Sequence, residues 1–374
     1  MKKQVIWDIQ DALHNNINKF MNGSNMTKSA KMFYPHYQRI NNDFVSITHL
    51  LKQAEGCFFS EINKKQNETI SEKDFAVKLC RFYNEFYSQV GRMSKNKAKS
   101  IKCKETYNLW RKKTDKNNKA IQNIENLRKI LAEDLVYDFI LHGSYGTLDY
   151  TAWSDIDAIV ILCDDIFKDP KKLLLLRKKI VNLQILLLDT DPLHHHGLFI
   201  VTKKQMDRYP QSYLPFVVYE NGISMFNRKE NMIFCERPSS TLNQIREAIK
   251  FLDSIHKKID KHTQISASEW KSYFSTVLFL PCLYLQYAKK PYYKRDAIRE
   301  IKTYFSSNAW EAVVEATEVR NKWNYTNKKT IKLWNVFVSR YLTKKTVKIV
   351  RIDQQKIKEK TTVFISELEN KIEK

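Results

Sequence analysis

Residues 137–162 read YDFILHGSYGTLDYTAWSDIDAIVIL. Val136 to Leu141 is a compact apolar run ending at His142, and Ile156 to Leu162 is another. Both have the length and the β-branched or aromatic content of strands. Between them Gly143-Ser144 marks a turn or helix start, where glycine lets the backbone approach a ligand closely. If a helix begins there, the N–H groups of Ser144, Tyr145 and Gly146 are offered to a phosphate oxygen. Ten residues, 145–154, then lead to Asp155-Ile156-Asp157. Residues two apart on a strand share a face, so both carboxylates point one way and Ile156 packs on the other side. Two adjacent carboxylates repel, and a divalent cation relieves the repulsion. All-oxygen ligands beside a phosphate favour Mg²⁺, with Mn²⁺ as a second choice.

On the N-terminal side, Val5, Ile9, Leu13, Ile17 and Met21 recur every four residues, the stripe of an amphipathic helix. A second helix is predicted from an N-cap at Ser71 to Val90, through Phe75, Leu79, Phe82 and Phe86. A third runs from about Asn123 to Leu135. After Leu162, Pro170 sits in the first turn of a helix that reaches Leu188. Extended runs at Leu198–Thr202 and Phe216–Phe226 follow, the latter with Asn221-Gly222 as a hairpin signal. Beyond Glu236 helical periodicity returns, with Ile245, Ile249, Leu252, Ile255 and Ile259 on one face, and helices are predicted to about Leu342. The last thirty residues read as a charged helical tail. The expected fold class is α+β: a small mixed sheet at 123–238, a helical region at 1–122 before it and a helical bundle at 239–374 after it.

The chain has 374 residues, enough for two or three folded units, and its 43% apolar and 12% aromatic content excludes global disorder. Lys plus Arg number 64 against 41 Asp plus Glu, a net charge of +23 that favours polyanionic partners. Much of that charge lies between Lys95 and Lys119, where Lys112, Lys113 and Lys116 form a basic run with Tyr107 and Trp110 close by. This segment is either a solvated face or an RNA-backbone contact with aromatics available for stacking. The six cysteines contain no C-x-x-C pair, which argues against a zinc ribbon or disulfide framework and for a reducing, cytoplasmic setting. The N-terminus lacks the apolar run of a signal peptide. The longest apolar stretch, from Tyr273 to about Ala288, is broken by Pro281 and reads as a buried helix, not a membrane span.

The stretch 137–162 resembles the signature of the DNA polymerase β-like nucleotidyltransferase superfamily: an apolar strand, Gly-Ser, about ten residues, then Asp-x-Asp opening a second strand. Gly143 and Ser144 match the first element, Asp155 and Asp157 the second. The resemblance covers 26 residues and rests on the joint spacing, since neither element alone is specific. It implies transfer of a nucleoside monophosphate from a nucleoside triphosphate such as ATP, with release of pyrophosphate. Gly143 and Ser144 would hold phosphate, and Asp155 and Asp157 would hold metal.

A third carboxylate from a later strand normally completes that site. Here the corresponding run, DTDPLHHHGLFIVT, has no acid inside its apolar part. Asp191 before it and His196 at its start are the two candidates for third ligand. A histidine would move the preference toward softer ions. The bland alternative is a cluster of rings bonded locally at a strand edge. The resemblance also implies a helical domain closing over the nucleotide. There, Lys294 or Arg295 is placed to neutralise phosphates and Tyr292 or Tyr293 to stack on a base. The helix bearing Arg320, Trp323 and Tyr325 reads as packing. The acceptor stays open among an RNA or DNA end, a tRNA, a cationic drug, a protein hydroxyl and a second nucleotide. The strongly basic chain sits poorly with a cationic drug. The alternative from another class is an inactive member of the fold acting as a nucleic-acid-binding or toxin–antitoxin-type partner.

Overall fold

In the computed structural model, strand alternation decides which side chains meet. The structure describes residues 2–23, 71–90, 98–132, 134–194, 196–325, 347–348 and 352–373. Helix α1 (Lys2–Met21) buries Ile9, Leu13, Ile17 and Met21, and α2 (Glu72–Val90) buries Phe75, Leu79, Phe82 and Phe86. Ser71 caps α2 by accepting the Asp74 N–H at 3.1 Å. Next come β1 (Ala98–Ile101), β2 (Glu105–Thr106), α3 (Tyr107–Lys112) and α4 (Lys119–Leu131). From Ala98 on, the basic segment is therefore two short strands and a helix, and Lys95 and Lys97 lie outside the described residues. Trp110 is fully buried and donates to the Tyr145 carbonyl at 3.0 Å, while Tyr107 bonds Glu125. Trp110 is not available to stack on a base, because burying indole area outweighs leaving it in water, while the half-buried Tyr107 ring has the Arg128 guanidinium over it at 4.0 Å.

The central elements are β3 (Val136–His142), the single turn α5 (Gly143–Thr147), β4 (Asp157–Leu162), α6 (Pro170–Thr190) and β5 (Phe199–Thr202). After them come β6 (Tyr209–Pro210), α7 (Phe216–Glu220), β7 (Ile223–Ser224) and β8 (Met232–Arg237). The main sheet has the order β2-β7-β3-β4-β5; β3 and β4 are antiparallel, β4 and β5 parallel. A second sheet, β1-β8-β6, flanks it. Phe139, Leu141, Val160 and Leu162 face a core shared with α1, α2, α4 and α6, whereas Ile140, Ile159 and Ile161 face Tyr209, Phe216 and Phe234. This is the period-two alternation of a sheet covered on both faces.

One expectation fails here. Phe216–Phe226 is not a hairpin: Phe216–Glu220 is a helical turn, and only Ile223–Ser224 is extended. Asn221 is in the right-handed region (φ −92°) as the helix C-cap, so the positive φ that a two-residue hairpin turn requires is missing. Gly222 is there because a Cβ would lie 2.5 Å from Ile140 Cγ2.

The C-terminal bundle comprises α8 (Leu242–Asp260), α9 (Ala267–Tyr287), α10 (Lys294–Ile301), α11 (Ser307–Lys322) and α12 (Gln354–Ile372). A Ser266/Glu269 capping box starts α9, which buries Trp270, Tyr273, Phe274, Val277, Leu278 and Leu283 in the bundle and leaves Phe279 exposed. No helix among the described residues is long and apolar enough to cross a membrane. The predicted charged tail also differs: α12 buries Ile357, Phe364, Ile365 and Leu368 in this bundle. After α11 the chain forms the short pair β9 (Asn324–Tyr325) and β10 (Val347–Lys348), while the helix expected up to Leu342 lies outside the described residues. The architecture is α+β, a small mixed sheet between helical regions.

Candidate active site

The site lies in a cleft of about 610 Å³ between the main sheet and the bundle. Gly143, Ser144, Asp155, Asp157 and His196 line one side; Ser275, Tyr293, Lys294 and Arg320 line the other. Gly143 follows β3 with φ +66°, and a Cβ there would lie 2.1 Å from Asp157 Oδ2. Only glycine fits a left-handed turn pressed against that carboxylate.

Asp157 opens β4 opposite His142 of β3, and Asp155 sits two residues earlier with Ile156 buried between them. His196 Nε2 lies 2.9 Å from Asp155 Oδ2 and 3.5 Å from Asp157 Oδ1, so both carboxylates converge on one point. The β4/β5 register pairs Ile159 with Phe199; two residues back along both chains, Gly197 is level with Asp157, and the neighbouring His196 reaches across. Among the described residues, Asp155, His194 and His196 each offer a ligand atom within 4.8 Å of the others. The donor set fits a divalent cation, with carboxylate oxygens and imidazole nitrogens facing one spot. Asp191 is not brought to this cleft. It is fully buried, and its carboxylate pairs with Lys271 Nζ at 2.5 Å.

The electrostatics follow from crowding. Burial raises the Asp155 carboxyl, but the Lys271 charge and the His196 hydrogen bond outweigh it and hold the group well below the usual carboxylate range. Burial and the charge of Asp155 push Asp157 up to about 6. Burial alone would lower His196; its hydrogen bond to Asp155 and the two carboxylate charges bring it up to about 9. The imidazolium thus holds the positive charge that the paired acids demand. Across the cleft, burial and then the charge of Arg320 lower the Lys294 amine.

Residues 124–212 match the nucleotidyltransferase domain family. This chain carries a nucleotidyltransferase domain. The match spans β3, β4 and β5 and agrees with the polymerase β-like resemblance of 137–162. It makes the chain a transferase. No curated protein and no solved structure matches it.

The nucleotidyltransferase domain does not build its cleft alone. Trp153, just before Asp155, and Leu193, just before His194, both insert into the apolar core of the C-terminal bundle. Lys271 of α9 donates to the Trp153 carbonyl at 2.8 Å as well as to Asp191, and Asp191 Oδ1 in turn accepts the Leu193 N–H at 3.1 Å. One ammonium thereby fastens the aspartate loop and the histidine loop together. Sequence reading missed this, because Lys271 looks like any polar residue in a helix.

Arg320 was also missed. Expected to pack, it instead lines the cleft and donates from a terminal guanidinium nitrogen to Ser144 Oγ at 2.9 Å. Its position in the last turn of α11 gave no hint of direction.

Proposed function

We propose that the protein moves a nucleoside monophosphate from a nucleoside triphosphate to a hydroxyl on RNA, releasing pyrophosphate. The observation that carries this reading is the convergence of Asp155, Asp157 and His196 opposite Lys294 and Arg320 in one cleft. Acids on one wall and cations on the other suit a substrate whose phosphates must be bridged to a cation yet compensated at the leaving end. Asp155, Asp157 and His196 would hold a divalent ion, Mg²⁺ or Mn²⁺. Such an ion supplies positive charge to the reacting phosphate and makes a neighbouring hydroxyl more acidic.

The remaining roles belong to the chain itself. Gly143 N–H and Ser144 Oγ face the cleft as phosphate donors, and Lys294 and Arg320 neutralise the charge developing on pyrophosphate. Ser275, Ser272 and Thr276 give α9 a neutral hydroxyl face toward the cleft, and the ring of Phe279, 46% exposed, offers a stacking surface for a base. Among the described residues, the only acid lining the cleft besides the pair is Asp149, which speaks against a polycationic acceptor. Exposed Lys102, Lys104, Lys112 and Lys116 favour an RNA backbone. Cys80, Cys103, Cys163 and Cys282 carry free thiols, in keeping with a cytoplasmic protein.

The test is label transfer from each of the four NTPs to cellular RNA with Mg²⁺ or Mn²⁺, comparing the parent with Asp155→Ala/Asp157→Ala. Transfer abolished by the double substitution is the expected result. No transfer with any nucleotide in the parent protein would overturn the reading. Neutralising Lys112 and Lys116 should weaken RNA binding and flatten its salt dependence.

A further inference from the structure

The groups that meet in the cleft are not the all-oxygen set that Mg²⁺ prefers. Asp155, His194 and His196 bring one carboxylate oxygen and two imidazole nitrogens within 4.8 Å of one another. Asp157 Oδ1 is 3.5 Å from the same His196 nitrogen. Donors about 2.1 Å from a single ion lie roughly 3 to 4.2 Å from each other, so side-chain shifts of up to about an ångström close this set. The two rings stand 4.5 Å apart at 61°, tilted and not stacked. His194 is buried with 9% exposure.

The group is also built into the fold. Lys271 ties the Trp153 carbonyl (2.8 Å) to Asp191 (2.5 Å), and the Asp191 carbonyl accepts the His194 N–H at 3.0 Å. Each ligand loop is anchored in the bundle core by an apolar side chain, Trp153 in one and Leu193 in the other. Outer contacts of this kind orient ligands and tune affinity.

We propose that Asp155, His194 and His196, with Asp157 as a fourth donor, form a mixed nitrogen–oxygen site that selects a first-row transition ion over Mg²⁺. Mg²⁺ demands near-octahedral oxygen ligation and loses water reluctantly, whereas imidazole suits ions further along the Irving–Williams order. The inference builds on the nucleotidyl-transfer reading for the role of the ion, but ligation is measurable without turnover.

The experiment uses the full chain stripped with chelator and titrated with Co²⁺, followed by its visible d–d absorption, then with Mg²⁺ as competitor. One equivalent of Co²⁺ should bind with the spectrum of imidazole ligation and resist an excess of about 100-fold Mg²⁺. His196→Asn and, separately, His194→Gln should each weaken Co²⁺ binding by about tenfold or more. Their melting temperatures without metal serve as the folding control, and if one variant does not fold, the other decides. Equal affinity for the two ions, or histidine variants that bind Co²⁺ like the parent, would overturn the proposal. Transfer supported by Mg²⁺ without histidine-ligated Co²⁺ sinks this inference and leaves the transfer reading standing. Histidine-ligated Co²⁺ without transfer under any ion does the reverse.

Discussion

The backbone N–H of Gly143 donates to the hydroxyl of Tyr293 at 2.6 Å, joining the turn after β3 to the N-cap of α10 across 150 residues of chain. The backbone donor proposed for phosphate is thus held by a side chain of the bundle. A triphosphate that takes this N–H must displace the phenol. Tyr293→Phe removes the competitor, at a net hydrogen-bond worth of about 1 kcal/mol. The variant should bind a non-hydrolysable NTP analogue several-fold more tightly, measured by calorimetry. Weaker binding would mean the hydroxyl contacts the nucleotide directly.

Arg320 and Lys294 supply positive charge to the far wall of the cleft. A charge-assisted hydrogen bond is worth about 1.5–3 kcal/mol. Arg320→Ala should therefore raise the apparent Kd for the nucleotide analogue roughly 10- to 150-fold. Arg320→Lys should recover only part of this, since an ammonium lacks the guanidinium fork. The free Ser144 hydroxyl should leave the melting temperature within a few degrees of the parent, checked by differential scanning fluorimetry.

Lys271 and Asp191 are a buried ion pair, 1% and 0% exposed at their side chains. Removing one partner leaves an uncompensated charge, a cost of about 3–5 kcal/mol. Lys271→Met should lose about that much stability in urea unfolding, and Lys271→Met/Asp191→Leu should recover a large part of it. If the double variant is no more stable than the single, the pair is not an isolated electrostatic unit.

Asp138 in β3 is buried, and burial pushes its carboxyl up to about 6 despite accepting the N–H groups of Phe139 and Phe226. The folded pKa lies above the unfolded value of 3.8. The fold therefore binds this proton more tightly than the unfolded chain does, and stability falls as pH rises from about 4 to 6. A gap of about two pH units corresponds to ~3 kcal/mol. Asp138→Asn keeps an acceptor oxygen without the charge. It should melt higher than the parent at pH 7.5 and alike at pH 4, and the reverse order would refute this account.

The strands around 137–162, the Gly-Ser turn and the paired aspartates were legible because each depends on neighbours within a few residues. Alternation sets the faces of β3 and β4, and a left-handed turn against Asp157 admits only glycine. Helices α1, α2 and α6 were legible for the same reason, through their spacing and caps. Asn221-Gly222 misled because the dipeptide suits a hairpin in isolation, while the packing of Gly222 on Ile140 and the helical turn at Phe216–Glu220 impose another geometry.

The sequence by itself determined the sheet core, the acidic pair and the class of chemistry. Only tertiary structure decided between Asp191 and His196 as the group facing that pair, because both lie near the same strand start and nothing local says which one turns inward. The parallel register of β4 and β5 brings His196 level with the acids, while Lys271 claims Asp191 from the bundle. Arg320 and Tyr293 likewise reach the cleft only through the packing of the bundle, since a side chain's direction across more than a hundred residues is set by the cores it must bury, not by its neighbours in the chain.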